Sequence, residues 1–256
     1  MESKDLLSIS DLTREDIHRL ISCAVAFKAE GWSSRLSGKV LALLFEKPSL
    51  RHRVSFEVAM RQLGGECLYL SPAEVGLGQR ESIADVARVL SGYVDCVAAR
   101  TFSHQTLVNL ARYSRVPVIN SLSDLEHPCQ ALADLLTIYE YKEKLEGLTL
   151  AFIGDGNNVA NSLILASTKC GMNFRMASPP GYGIKNNIME IAREYAADNE
   201  SEIFCTEDPR QAVVGADVVY TDVWTSMGQE SETEKRRPVF AGYQVNAGLL
   251  ALAGEN

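Results

Sequence analysis

The stretch 40-VLALLFEKPSLRHRVSFEVAM-60 changes character in its middle. Its first six residues form an uninterrupted apolar run, which reads as a strand buried on both faces. From Ser49 onward, Val54/Val58 and Phe56/Met60/Leu63 recur at helical spacing until Gly64-Gly65, so a helix follows with Ser49 as its N-cap. A strand feeding a helix through a short polar loop is the repeating unit of a parallel α/β sheet. The helix start carries Arg51, His52 and Arg53. Helix starts already present unpaired N–H groups and partial positive charge, so each cation there costs roughly a few tenths of a kcal/mol. A phosphate resolves the conflict, because backbone N–H groups cradle it and guanidinium forks bind it in pairs.

The same alternation runs outward in both directions. A helix over Thr13 to Ala29, capped by Thr13 with Asp16 at its third position, precedes the strand. After it come 67-CLYL-70, 95-DCVAAR-100 and 116-VPVIN-120 as strands, with helices over 81–93, 104–114 and 128–143 between and after them. A second series opens at 148-LTLAFIGDG-156 and continues with strands 173-NFRMAS-178, 202-EIFCT-206 and 217-DVVYTDVW-224, separated by helices over 158–170, 185–199 and a shorter one within 208–216. The polar stretch 140-EYKEKLEG-147 separates the series, giving domains over 1–140 and 148–256. The fold class is α/β, with two doubly wound parallel-sheet domains. Ligands of such sheets sit at the carboxyl ends of the strands. The loops there hold Ser49 to Arg53, Arg100-Thr101, 120-NSLSDLEHPCQ-130, 154-GDGNN-158 and 222-DVWTSMGQE-230.

Each of these has a plainer reading on its own: Ser49 as a helix cap, Arg51 and Arg53 as solvated charges, Arg100 as a structural partner, His127 as a cap for the helix from Pro128, and Asp222 as an ordinary loop carboxylate. An Arg-rich helix start, a strand-end Arg and a His/Gln pair on one edge of one sheet favour the functional reading. GDGNN imitates a dinucleotide fingerprint, but the position of its third Gly is Val159 and no acidic residue ends the next strand, which runs into Pro179-Pro180. Its paired amides, Asn157 and Asn158, suit a small polar ligand better.

The totals agree with a soluble globular protein. The formal charge of -8 over 256 residues argues against a nucleic-acid footprint or attraction to anionic membranes. Six cysteines without a C-x-x-C pair and four histidines without metal spacing argue against a zinc or disulfide framework. The polar, acidic start MESKDLLSISDLTRED lacks the features of a secretory signal, and a cytoplasmic location follows.

FEKPSLRHR resembles the Ser-Thr-Arg-Thr-Arg motif of the aspartate and ornithine carbamoyltransferases, while HPCQALAD, GDGNN and DVWTSMGQE resemble the ornithine branch; the likeness covers almost the whole chain. The resemblance implies transfer of a carbamoyl group from carbamoyl phosphate to the δ-amine of L-ornithine, a step of arginine biosynthesis, without metal or organic cofactor. It places Ser49, Leu50 (through its backbone), Arg51 and His52 around the phosphate, Arg100, His127 and Gln130 at the carbamoyl group, and Asn158, Asp222, Ser226 and Met227 at the amino-acid end of ornithine. Arg100, His127 and Arg51 are the catalytic candidates, in an active site that the resemblance places in the cleft between the two domains. It also implies a homotrimer whose phosphate pocket is completed by a neighbouring subunit's loop, here 74-EVGLGQRES-82. Leu50 and His52 stand where the family motif has Thr, Gly76 stands where relatives often have Gln or His, and the sequence stops at Asn256, before the family's His-Cys-Leu-Pro motif. A second reading is a non-catalytic relative that keeps only the phosphate pocket and acts in binding or assembly.

Overall fold

A computed structural model describes residues 3–78, 80–225 and 230–254. The chain divides into two compact units, Met1–Gln130 and Ala131–Asn256. The division falls in the first turn of a helix, ahead of the polar stretch 140–147.

In the first unit, α1 (Arg14–Glu30) precedes β1 (Val40–Phe45), α2 (Leu50–Gln62), β2 (Glu66–Leu70), α3 (Pro72–Val75), α4 (Ile83–Leu90), β3 (Cys96–Arg100), α5 (His104–Tyr113), β4 (Val118–Leu122) and the start of α6 (Pro128–Lys142). The four strands are parallel, in the order β2-β1-β3-β4. Alternate residues of the apolar β1 run serve opposite faces: Ala42 and Leu44 pack with Leu107 and Leu110 of α5, while Leu41, Leu43 and Phe45 pack with Met60 of α2. Burial of both faces is why the run has no polar alternation. The expected helical rows of α2 part company, since Met60 is buried whereas Val54 and Val58 remain exposed. The helix α3 was not anticipated; its single turn, PAEV, is too short to show a period.

This strand order puts the topological switch point between β1 and β3, whose last residues, Phe45 and Arg100, are register partners. The next pair is irregular. Ala99 faces Asn120 but Arg100 faces Leu122, so β4 carries Ser121 as an extra residue where the chain leaves for the site loop. A bulge at a strand end re-aims the side chains beside it.

The second unit contains β5 (Thr149–Ile153), α7 (Asn158–Lys169), β6 (Asn173–Ala177), α8 (Asn186–Asp198), β7 (Ile203–Thr206), α9 (Pro209–Val213), β8 (Val218–Thr221), α10 (Thr233–Phe240) and α11 (Ala247–Leu250). Its parallel sheet has the order β7-β6-β5-β8, with the switch point between β5 and β8. Thr221 Oγ1 donates to Ile153 O at 2.9 Å across that point. Ala151 and Ile153 face a cluster made with Ala212, Val213, Phe240, Tyr243 and Leu249, so α9, α10 and α11 cover one side of this sheet. Among the described residues no helix is long and apolar enough to cross a membrane.

Candidate functional site

The loop after β1 and the first turn of α2 place Ser49, Leu50, Arg51 and His52 beside the end of β3. Ser49 caps α2, its Oγ accepting from the His52 backbone N–H at 3.5 Å, and the same oxygen lies 2.7 Å from His52 Nδ1. Arg100, 1% exposed at the end of β3, sets its Nη1 3.1 Å from that Nδ1. His127, buried just before α6, meets His52 with Nε2 to Nε2 at 2.8 Å, the rings stacked with centroids 4.8 Å apart. Gln130 lies one turn on, its backbone N–H donating to His127 O at 3.1 Å.

The hydrogen-bond partners decide where the ring protons sit. A guanidinium only donates, so His52 Nδ1 accepts, from Arg100 and from the Ser49 hydroxyl. Neutral His52 then carries its proton on Nε2 and donates it to His127 Nε2, which leaves the His127 proton on Nδ1. The electrostatics agree. Burial, then Arg100 and Arg51, lowers His52 from 6.5 to about 4. Burial, then His52 and Arg100, lowers His127 to about 3. Arg100 is itself lowered by burial and then by Arg51. Each cation disfavours its neighbours, the signature of a positive potential that an anion would relieve.

The three cationic positions of the helix start thus have different fates. His52 is neutral. Arg53 pairs with Glu57 at 2.8 Å and lies 4.0 Å over the Tyr69 ring. Arg51 is exposed, and the Leu50 side chain is 80% exposed.

In the second unit, Asn157 caps α7, its Oδ1 accepting from the N–H groups of Val159 and Ala160. Its Nδ2 donates to Asp222 Oδ2 at 2.9 Å, tying the loop after β5 to the loop after β8. Asn158 is the first residue of α7 beside this link. Asp222 is thus held by Asn157 in this loop pair. Ser226 and Met227 lie outside the described residues.

Behind these loops, buried Arg236 of α10 donates from Nη1 to Asp155 Oδ2 at 2.6 Å and to Trp224 O at 3.1 Å, and from Nε to Glu232 Oε2 at 2.9 Å. Against burial, which lowers it, the bonds from Glu232 and Asp155 hold this guanidinium above its ordinary pKa. Nothing local in 233-TEKRRPVF-240 sets Arg236 apart from Arg237, and its partner Asp155 lies 81 residues away along the chain. Gly156 answers the imitation of a dinucleotide fingerprint: a Cβ there would stand 2.5 Å from Gly183 O and from Ile184 N, so the glycine is required by neighbouring backbone.

Among the described residues no cluster of His, Cys, Asp and Glu is placed to hold a metal. Residues 4–140 match the model of the aspartate/ornithine carbamoyltransferase carbamoyl-P binding domain, and residues 146–256 match that of the Asp/Orn binding domain. This chain belongs to the aspartate/ornithine carbamoyltransferase family. Within that family, it is 51% identical over 260 residues to the ornithine carbamoyltransferase of Anoxybacillus flavithermus, covering 100% of this chain and 83% of that one. The ornithine carbamoyltransferase structure from Pyrococcus furiosus superposes with a TM-score of 0.94 at 48% identity, over 97% of this chain and 81% of that one. The anabolic ornithine carbamoyltransferase structure from Campylobacter jejuni gives 0.95 at 38% identity, over 99% and 84%. These carbamoyltransferases belong to the ornithine branch that HPCQ and GDGNN resemble.

Proposed function

We propose that this chain transfers the carbamoyl group of carbamoyl phosphate to the δ-amine of L-ornithine, giving L-citrulline and phosphate in arginine biosynthesis. The observation that carries the reading is the joining of Arg100, His52 and His127 at a switch point beside the Arg51 helix start. Ser49, the Leu50 backbone, Arg51 and His52 hold the phosphate; Arg100, His127 and Gln130 hold the carbamoyl group; Asp222 takes the α-ammonium of ornithine and Asn158 its α-carboxylate, with Ser226 and Met227 from the following loop.

The amine nitrogen attacks the carbonyl carbon, a C–N bond forms, the C–O bond to phosphate breaks, and the amine proton leaves with the phosphate. Arg100 and His127 stabilise the tetrahedral oxyanion, and Arg51 with the α2 N–H groups receives the departing charge. Ornithine reacting as its free amine needs little from a general base.

The exposed row Leu50, Val54 and Val58 on α2 offers an apolar surface for association, and the assembly proposed is the homotrimer that the family resemblance implies. In that assembly the loop 74–82 of a neighbouring subunit completes the phosphate pocket. All six cysteines are free, which suits the reducing cytoplasm proposed as the location. Citrulline formation measured with ornithine and with aspartate, beside calorimetric binding of carbamoyl phosphate, tests the assignment. Turnover with ornithine is expected; faster turnover with aspartate, or binding without turnover, rejects it.

A further inference from the structure

The chemistry above leaves unexplained a buried polar network behind His127. Asn120, Ser123 and Glu126, on β4 and the loop leading to α6, are all buried. Glu126 accepts from the Ser8 hydroxyl at Oε1, 2.5 Å, and from the Ile9 N–H at Oε2, 3.0 Å, across more than a hundred residues of sequence. The N-terminal turn is rigid in its own right, because Ser8 Oγ accepts from the Ser10 N–H and Asp11 Oδ2 accepts from the N–H groups of Leu7 and Ser8. On the loop side the Ser123 N–H donates to Glu126 O at 3.0 Å, the Glu126 N–H to Ser123 Oγ at 3.3 Å, and Asn120 Nδ2 to Leu7 O at 2.8 Å. His104 closes the ring of contacts, its Nδ1 3.0 Å from Ser123 Oγ and its N–H donating to Asp124 Oδ1 at 2.7 Å.

A carboxylate in such a place is costly to desolvate, and a well-packed apolar side chain would hold a terminal segment at less expense. Lys4, Asp5 and Leu6 already tether that segment to the end of α5 and to β4. What the carboxyl group adds is direction, because its two hydrogen bonds, from the Ser8 hydroxyl and the Ile9 N–H, fix the loop backbone one residue before His127. We propose that Glu126 is a positioning residue: it clamps the N-terminal turn at Ser8 and Ile9 to the site loop and thereby holds the His127 ring against His52. The kinetic consequence rests on the carbamoyl-transfer reading; the geometric one does not.

The test uses the full chain with Glu126→Ala, Glu126→Gln, Ser8→Ala and Ser8→Thr, reading imidazole nitrogen NMR for the tautomers of His52 and His127, and kcat and KM for both substrates. Ser8→Ala and Glu126→Ala are expected to blend the two distinct tautomer signals. They should lower kcat on the order of 10- to 100-fold while leaving the KM for ornithine nearly unchanged, the loss expected when a reacting group is misplaced by about 1 Å. Ser8→Thr keeps the hydroxyl and should restore both readouts; Glu126→Gln keeps an acceptor for Ile9 and should fall between. Ser8→Ala carries the test should Glu126→Ala not fold. Parental imidazole signals in Ser8→Ala overturn the proposal, as do altered signals with parental kcat. Were the parent inactive with ornithine, the carbamoyl-transfer reading would fail while the imidazole signals still decided the positioning role.

Discussion

His52 and His127 share one proton between facing Nε2 atoms 2.8 Å apart, and Arg100, 3.1 Å from the far side of His52, decides which ring gives it. Two histidines in contact are thereby kept neutral beside a buried cation. Sequence identifies both as candidates for anion or carbonyl contact, but their mutual dependence has consequences of its own.

The first concerns acid. Both rings have folded-state pKa values, about 4 and about 3, below the ordinary 6.5, so the unfolded chain binds protons that the native one refuses. Stability should be full above about 6.5 and fall as the pH drops from there toward 3. His127 alone should contribute a loss of roughly 1–2 kcal/mol between pH 6.5 and 5, with a smaller share from the less buried His52. Urea midpoints across that range are expected to fall less steeply for His52→Thr, and identical slopes would show that the His52 titration is not coupled to folding.

Binding of carbamoyl phosphate should move the same group the other way. A phosphate near His52 favours its imidazolium, and a rise of about two units would be ordinary for a close opposite charge. Starting from about 4, proton uptake should therefore peak near pH 5, remain about half-maximal at pH 4 and pH 6, and be nearly gone by about pH 7. Burial thus displaces a window that an exposed histidine would place near pH 6 to 8. Calorimetry on the parent and on His52→Thr, corrected for ligand ionisation, should give different profiles below pH 6; matching profiles mean that only the His52 backbone meets the phosphate.

The Asp155–Arg236 ion pair should matter to one substrate more than the other. Asp155→Asn leaves a buried guanidinium with less compensation, a change that typically costs about 3–5 kcal/mol. Because Arg236 also holds Trp224 O, the loop after β8 should loosen, raising the KM for ornithine at least tenfold while carbamoyl phosphate binding changes little. Equal effects on both substrates would count against this.

Gly156→Ala should be destabilising by about 1–3 kcal/mol, since its methyl group has nowhere to go except into the backbone of Gly183 and Ile184. Gly147→Ala is the control for left-handed strain alone, because its φ is +76° and nothing lies within 4 Å of its added carbon. Comparing their melting temperatures separates steric overlap from backbone strain, and a smaller loss at Gly156 would contradict the close approach.

On α2, Val58→Lys should leave the subunit folded, because the side chain is 44% exposed, but should dissociate the proposed trimer. Sedimentation of the variant is expected at monomer mass with citrulline formation down tenfold or more. A variant of parental mass would move the interface elsewhere.

The sequence by itself determined the succession of strands and helices, because apolar runs of strand length and helical spacing punctuated by Gly, Ser and Asn are local properties of the chain. It also brought Ser49, Arg51, His52, Arg100 and His127 to one sheet edge, since parallel topology sends successive loops to the same end of the strands. Only the tertiary structure decided which groups meet and in what protonation state. The bulge at Ser121 depends on pairing between β3 and β4, and the neutral His52–His127 pair depends on burial beside Arg100. Glu126 and Arg236 look like ordinary surface charges in sequence; their partners, Ser8 and Asp155, lie far away along the chain. Charge placement is read locally, whereas desolvation and the geometry of a shared proton exist only once distant segments have excluded water together.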